Sequence, residues 1–456
     1  MYYLKDLGSI YFKDSFHTSG NRFGIGLEKL DRSMYDPSDA YDRLKDTGVK
    51  LVRIQSGWAK TEKKEEIYDF IWLDDVVDNL TRRGMEPWIC LCYGNPVYTP
   101  DAKDEFGCVN YPPVKTEREM NAWLEYCLKV VGRYIGKVSK YEIWNEPEWL
   151  WKYGNDPVQY GTFAARTAKS IKEIYPNTYI ISGALTNLDP SWADRMLSAG
   201  LDRYTDAVSY HRYSTKVETL LDEIPKFKAM LLNHGIKDLI NGESGCQSAP
   251  FGAGALAGGR FSEDIQTKII LRRSLIDLMT EVRFSSVFTA VDVEEALVGV
   301  TGAAYFGVMA NVHDDNGEII GRYREKPSYN ALRYFISVFD GDINLCDTDL
   351  SFTPSRSEHL FCEDDDGNGL ISQGFTKGTA GAFAYYRPTE VMTTSYSSTI
   401  SFEIVGFEGK PELVDLYDGR IYDLEDACLV SDGKYRFSHI PVKDYPLVIT
   451  FGGFIN

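Results

Sequence analysis

The chain has 456 residues, and its 67 acidic side chains outnumber 49 lysines and arginines to give a formal net charge of −18 at pH 7. This length fits about three ordinary domains, or one large α/β barrel with a companion, and it supports a sizeable core without disulfides or metals. The acidic balance argues against nucleic acid or an anionic membrane as partner and makes a neutral substrate the easier fit, unless a local basic pocket overrides it.

Residues 1–17 read as one or two short strands, and Lys5, Asp6, Lys13 and Asp14 interrupt any hydrophobic run of signal-peptide length. With no stretch long enough to span a bilayer, a cytoplasmic location is the expectation. From residue 23 strands and helices alternate. Residues 23–28 form the first strand, and a helix opened by Asp36-Pro37 stops at Gly48. Strands follow at 50–55 and 86–93, with a helix over 71–83 between them and another over 116–135. Cys90-Leu91-Cys92 puts two thiols on one strand face, but no second pair at zinc spacing accompanies it, so buried reduced thiols are expected.

The run Tyr141-Glu142-Ile143-Trp144-Asn145-Glu146-Pro147-Glu148 begins as a fourth strand and must stop at Pro147, which lacks an N–H and fixes its own φ. Glu146 therefore lies at the carboxyl end of a parallel strand, the edge where α/β sheets and barrels bind ligands. Asn145 offers a donor and an acceptor to a sugar hydroxyl, and Trp144 is expected to pack beside the site.

Helices over 157–174, 192–199, 217–233 and 263–282 alternate with strands at 179–185, 206–211, 238–243 and 284–291. Residues 251–261 read as a mobile loop, residues 294–326 as an excursion, and residues 328–339 as a last helix. Eight strand–helix units over 18–340 predict an α/β fold of the (β/α)8 TIM-barrel type. A doubly wound sheet is the competitor, but no Gly-x-Gly-x-x-Gly follows the first strand. Residues 341–456 change character, with short strands separated by turns such as Asp366-Gly367, Asp418-Gly419 and Asp432-Gly433. They read as a β-sandwich domain, completed by strands from 1–17.

The tetrad Trp144-Asn145-Glu146-Pro147 resembles the motif of clan A retaining glycoside hydrolases. In that clan the acid/base glutamate ends strand four and the nucleophile ends strand seven, where this chain carries Ile240-Asn241-Gly242-Glu243. The resemblance implies Glu146 as acid/base, Glu243 as nucleophile and Asn145 as ligand of the sugar 2-hydroxyl. It places Arg53 near the nucleophile, and His211 and Tyr213 against the nucleophile or a sugar hydroxyl. Glu28, Asp292, Glu294 and Glu295 fall on the same rim, as do Trp58, Tyr93, Asn95, Trp149 and Trp151. Acids there suit sugar hydroxyls and aromatic faces suit a pyranose, although a solvated loop and plain packing are the alternatives.

Barrel plus sandwich is most similar to glycoside hydrolase family 39, which includes β-xylosidases and α-L-iduronidases; families 30 and 51 share the architecture. Strand eight, Val287-Phe288-Thr289-Ala290-Val291-Asp292, departs by lacking the clan's usual tryptophan, and Tyr93-Gly94-Asn95-Pro96 departs from xylosidase members. The resemblance implies a retaining, β-xylosidase-like hydrolase; long loops after strands three, seven and eight, which would wall the cleft into a pocket, add the expectation of exo action, and the acidic balance that of a neutral oligosaccharide or glycoside. Its partner is carbohydrate rather than nucleic acid or membrane, homo-oligomerisation is left open, and no metal or organic cofactor is needed because two carboxylates suffice. The rivals are an endo-acting glycanase of the clan, a catalytically silent carbohydrate-binding barrel, and a Schiff-base lyase or aldolase using Lys29 or Lys60.

Overall fold

The computed structural model of the chain describes residues 4–20, 22–99, 101–102, 107–294, 302–352, 363–364 and 369–455. Eight parallel strands close into a barrel: β1 (Phe23–Gly26), β2 (Leu51–Gln55), β3 (Glu86–Leu91), β4 (Lys140–Ile143), β5 (Tyr179–Leu185), β6 (Ala207–His211), β7 (Asp238–Ser244) and β8 (Ser285–Val287). Strand β8 is shorter than the expected 284–291. Beyond Val287 the backbone is shared: Phe288 N donates to Ser244 O at 2.8 Å and Ala290 N to Gly26 O at 2.9 Å, while Thr289 N donates to Phe306 O in the excursion at 3.2 Å and Asp292 N to Met309 O at 3.0 Å.

The barrel interior is layered. Leu51, Trp88, Ile181, Ala207, Ile240 and Phe284 form one apolar cluster at its base. Side chains two residues apart on a strand share a face, so Arg53 stands above Leu51 and Ser209 above Ala207. Glu142 joins them from β4, and all three are buried. Even-numbered strands thus supply one polar layer directly beneath the carboxyl-end rim.

The helices begin where short polar side chains can take up free N–H groups. Thr116 and Glu119 form a capping box for Glu117–Arg133, and Asp156 and Asp189 each precede a proline at the start of Pro157–Ile174 and Pro190–Ser198. Helix Glu263–Met279 is buried on nearly every face. It lies between the barrel and the carboxyl-terminal sheets, where Lys268 Nζ reaches Asp444 Oδ2 at 3.1 Å and Arg272 Nε donates to Asp444 O at 2.6 Å.

Two further sheets, antiparallel apart from the short pairing of Glu363–Asp364, pack on each other. Strand Ala380–Tyr386 shows why they also pack on the barrel. Phe383 and Tyr385 enter the core between the sheets, whereas Ala382, Ala384 and Tyr386 face the main core that continues into the barrel. The amino-terminal strand Lys5–Ser9 pairs with Arg420–Asp423 at the sheet edge. The excursion after β8 holds an unforeseen hairpin, Met309–His313 with Ile319–Glu325. Its turn, Asp315-Asn316-Gly317, with Gly317 at φ 84°, carries a hairpin signal the sequence reading passed over. Glu295 and Asp366-Gly367 lie outside the described residues. Among the described residues no helix is long and apolar enough to cross a membrane, and the cysteines are free thiols, five of them buried: Cys90, Cys92, Cys108, Cys127 and Cys246.

Candidate active site

Strand β4 ends at Ile143, and the chain leaves the sheet with Trp144 at φ 67° and Glu146 at φ 49°. Left-handed conformations are sparsely populated by residues with a Cβ and concentrate at functional sites. Here they turn Trp144 inward and Glu146 outward. The buried indole donates to Leu150 O at 3.0 Å and meets Tyr93, Trp151 and Phe163 edge-on. In β7 the register shifts against both neighbours around Gly242 and Glu243, an irregularity that re-aims a side chain at a strand end. Gly242 is required by its surroundings, since a Cβ there would lie 2.7 Å from His211 Nε2.

These two strand ends bring the glutamates together. One carboxylate oxygen of Glu146, one of Glu243 and a ring nitrogen of His211 lie within 4.8 Å of one another. His211 Nδ1 is 3.0 Å from Glu146 Oε1 and 3.6 Å from Glu243 Oε2. Its Nε2 has no partner among the described residues, which places the bonding proton on Nδ1, between two acceptors. Tyr213 Oη donates to Glu243 Oε2 at 2.9 Å. Beneath them, Arg53 Nη1 donates to Glu243 Oε1 at 2.5 Å and Glu28 Oε1 at 3.3 Å, Nη2 to Asn145 Oδ1 at 2.8 Å, and Nε to Glu142 Oε2 at 2.7 Å. With Oδ1 engaged, the amide nitrogen of Asn145 is the atom left to offer the pocket. Glu146, His211 and Glu243 are close enough to surround an ion, but both Glu243 oxygens already accept from Arg53 and Tyr213.

The electrostatics separate the acids. Burial alone would raise Glu243, yet His211, Arg53, the Tyr213 hydroxyl and Lys29 outweigh it and hold the carboxyl below its ordinary value. Burial, with Glu243 adding repulsion, pushes Glu28 up to about 7. Burial likewise brings Glu148 to about 7, although its Oε2 accepts from Thr186 N at 2.5 Å. His211 is disfavoured as a cation by burial, but Glu243 and Glu146 raise it above its ordinary value.

A cavity of about 750 Å³ opens over this centre, lined among others by Glu28, Asn145, Glu146, His211, Tyr213 and Glu243. Its volume suits a small ligand. Three sequence expectations are corrected. Trp58 is fully buried, stacks between Tyr98 and Tyr126, and donates to Glu62 Oε2 at 2.6 Å. Asn95 is buried below the rim, where it donates to Glu62 O at 2.8 Å and accepts from Val97 N at 2.9 Å. Asp292 is held by Lys326 Nζ at 2.7 Å and Gly307 N at 2.8 Å. None of the three lines the cavity, because each side chain is buried against the partners just named. Arg53 is near the nucleophile as expected, but it lies under Glu243 and does not line the cavity either. Trp149 does line it and is 78% exposed, whereas Trp151 packs on Tyr160.

Glu142, Arg32, Gln55 and Phe288 were missed, and Lys29 was weighed only as a Schiff-base lysine. Glu142 had a readable signal, an acid in the middle of an apolar strand, and Gln55 shares a strand face with Arg53. Phe288 lines the cavity at the end of β8, in contact with Tyr213 and Phe306.

Comparison with known proteins agrees with this architecture. The family model described as "Beta-galactosidase" (glycoside hydrolase 42) matches residues 33–99. The beta-galactosidase BgaA of Clostridium cellulovorans is 39% identical over 82 residues, a match covering 17% of this chain and only 12% of that protein. A family 39 glycoside hydrolase from the gut symbiont Bacteroides cellulosilyticus superposes with a TM-score of 0.66 at 15% identity, over 94% of this chain and 81% of that one. A monomeric beta-xylosidase from Caulobacter crescentus gives 0.61 at 14% identity, over 98% of each chain. A family 51 α-L-arabinofuranosidase from Bifidobacterium longum gives 0.58 at 13% identity, over 98% and 97%. The chain is similar to clan A glycoside hydrolases, and its barrel-and-sandwich fold is most like that of family 39.

Proposed function

We propose that the protein is a retaining, exo-acting glycoside hydrolase with Glu243 as nucleophile and Glu146 as acid/base. The observation that carries this is the approach of their carboxylates to within 4.8 Å in the barrel mouth. Retaining enzymes hold the pair about 5–5.5 Å apart, whereas inverting ones leave about 6.5–9.5 Å for a water. Glu243 attacks the anomeric carbon while Glu146 protonates the leaving oxygen, forming a glycosyl ester and a free aglycone. Glu146 then takes a proton from water, which displaces Glu243 and restores both residues. Arg53 and Tyr213 keep Glu243 ionised and aimed. His211, hydrogen-bonded to Glu146 at 3.0 Å and 3.6 Å from Glu243, orients the acid/base, and Asn145 offers its amide to the 2-hydroxyl.

Exo action is supported by the walls around the centre. Val109 lies after β3, residues 253–255 after β7, and Phe288 and Phe306 after β8, all on one cavity. The test is a panel of aryl xylosides, galactosides, glucosides, arabinosides and uronides, run with wild type and Glu243→Ala. Release from one sugar, abolished in the variant and partly restored by azide as the inverted glycosyl azide, is the expected result. Release unaffected by Glu243→Ala contradicts the assignment. Lys29 faces the same pocket, so borohydride with carbonyl substrates provides the control; this reading expects no covalent trapping.

A further inference from the structure

Beside the paired glutamates, the wall between β1 and β2 carries two cations that take no covalent or proton-transfer part in the double displacement. Lys29 follows Glu28 and holds φ 72°, and the turn Leu30–Arg32 behind it ends in Ser33 at φ 54°. A lysine keeps that conformation only where its surroundings hold it there. Gln55, buried at the end of β2, does so. Its Oε1 accepts from Lys29 N at 3.0 Å and from Arg32 Nη2 at 2.6 Å, while its Nε2 donates to Tyr93 Oη at 2.9 Å. Arg32 also lies over the Tyr93 ring at 5.3 Å and gives its Nε to Asp31 Oδ1 at 3.2 Å. These contacts leave the Nη1 end of its guanidinium to the cavity. Lys29 Nζ sits 5.0 Å above the Phe288 ring and has no hydrogen bond or ion pair with any described residue. Both side chains line the cavity that holds Glu146 and Glu243.

We propose that Lys29 and Arg32 form an anion-recognition subsite for the sugar being cleaved, so that the preferred substrate carries a carboxylate or phosphate on its glycone. The proposal rests on the glycoside hydrolase reading above and replaces the neutral substrate expected from the net charge. The subsite adjoins the nucleophile rather than the leaving group. Lys29 is next to Glu28, which shares Arg53 Nη1 with Glu243, and it overlies Phe288 at the end of β8. Glu146 and the exposed Trp149 stand across the mouth at β4. Of the acids on the anion's side, Glu28 and Glu243 are buried against Arg53 and Asp31 is engaged by the Nε of Arg32, while the Nη1 end of Arg32 and the Lys29 ammonium face the cavity. Burial and Arg32 together bring the Lys29 ammonium down to about 8 against the pull of Glu243, Glu28 and Glu146, and the charge of a bound anion offsets both. Arg32 supplies a planar fork for two oxygens and Lys29 a point charge, a pairing that suits either oxyanion.

The test uses the full chain and matched aryl glycosides that differ only at C6: galactoside, galacturonide and galactoside 6-phosphate, with the corresponding glucose series. Charge-assisted hydrogen bonds lead us to expect about a tenfold to hundredfold higher kcat/KM for one acidic member than for its neutral counterpart. That preference should weaken with salt. Lys29→Gln should lower the acidic-to-neutral ratio by about tenfold or more, chiefly through KM, and Lys29→Arg should recover part of it. Preference for uronide or for phosphate decides between the two sources. Equal or better turnover of the neutral members, or a ratio unchanged in Lys29→Gln, overturns the subsite. Calorimetry of galacturonate, galactose 6-phosphate and galactose with Glu146→Gln reads the subsite without turnover. Selective acid binding that Lys29→Gln abolishes, in a protein that cleaves no glycoside, keeps the subsite and removes the hydrolase reading; absence of selectivity removes the subsite.

Discussion

Arg53 is buried with three carboxylates and one amide around its guanidinium, so its removal leaves acids without a cation in the barrel interior. Breaking a buried ion pair from one side costs about 3–5 kcal/mol. Arg53→Met should lower stability by that order in denaturant unfolding, and Glu142→Gln added to it should recover part of the loss. A loss of a few tenths of a kcal/mol would mean that the acids find other partners. Glu148 carries a pH signature. Its carboxyl is raised from an ordinary 4.5 to about 7 in the fold, so the favourable protonated form is fully present below pH 4.5, and its contribution is lost as pH rises through 7. Glu148→Gln keeps an acceptor for Thr186 N and removes the titration. The melting-temperature difference between pH 5 and pH 8 should shrink in the variant; an unchanged or larger difference contradicts the assignment. At this scale the sequence was most legible where chemistry and strand position coincide. Glu243 lies at the end of β7 and Glu146 just past the end of β4, as expected, and His211 and Tyr213 meet them. Trp58, Asn95 and Asp292 were misplaced because a loop residue just past a strand can point to the cavity or fold beneath it, and composition does not distinguish the two. Lys29 and Arg32 went unread as cavity cations because a turn held in left-handed backbone by Gln55 has no signature in a single sequence.

Strand ends and connections set the positions of these side chains. The irregularity of β7 at Gly242 turns Glu243 into the mouth, and the close approach of His211 Nε2 forbids a Cβ there. Gly242→Ala should reduce kcat by about tenfold or more, since displacement of a catalytic group by an ångström can cost a hundredfold, while the protein remains folded by circular dichroism. Wild-type turnover would show that His211 yields freely. The excursion after β8 is fastened by Lys326, whose Nζ meets Asp292 Oδ1 and Gly307 O, each at 2.7 Å. Lys326→Met strands a buried carboxylate and should destabilise by about 3–5 kcal/mol, read by denaturant unfolding; a change within ~0.5 kcal/mol would place that fastening elsewhere. The barrel strands and most helices were legible from Asp/Pro starts, Gly stops and apolar periodicity. The hairpin Met309–His313 with Ile319–Glu325 was not, because neither strand alternates cleanly between apolar and polar residues and only the Asn316-Gly317 turn marks it.

In the whole molecule, the main core runs without a break from the barrel into the sheet that carries Ala382, Tyr386 and Val448. Lys268 and Arg272 reach across to Asp444, and Lys5–Ser9 joins the first residues of the chain to the last sheet. We therefore expect a barrel cut at 18–340 to expose this apolar face and to aggregate or lose its cooperative melt. A soluble, active barrel would show the sandwich to be an independent appendage. The antiparallel sheets that follow the barrel were legible from their short strands and turn chemistry, but the core they share with it was not, because Ala380–Tyr386 is buried on both faces and so hides which partner each side meets. The proposed double displacement requires a covalent glycosyl bond to Glu243. Its most direct test is incubation with the 2-deoxy-2-fluoro aryl glycoside of the sugar that wild type prefers, followed by intact mass and peptide mapping. A mass gain of one fluorosugar located on Glu243, with turnover lost in step, is the predicted result. An adduct on another residue, or undiminished turnover with no adduct, would contradict the account.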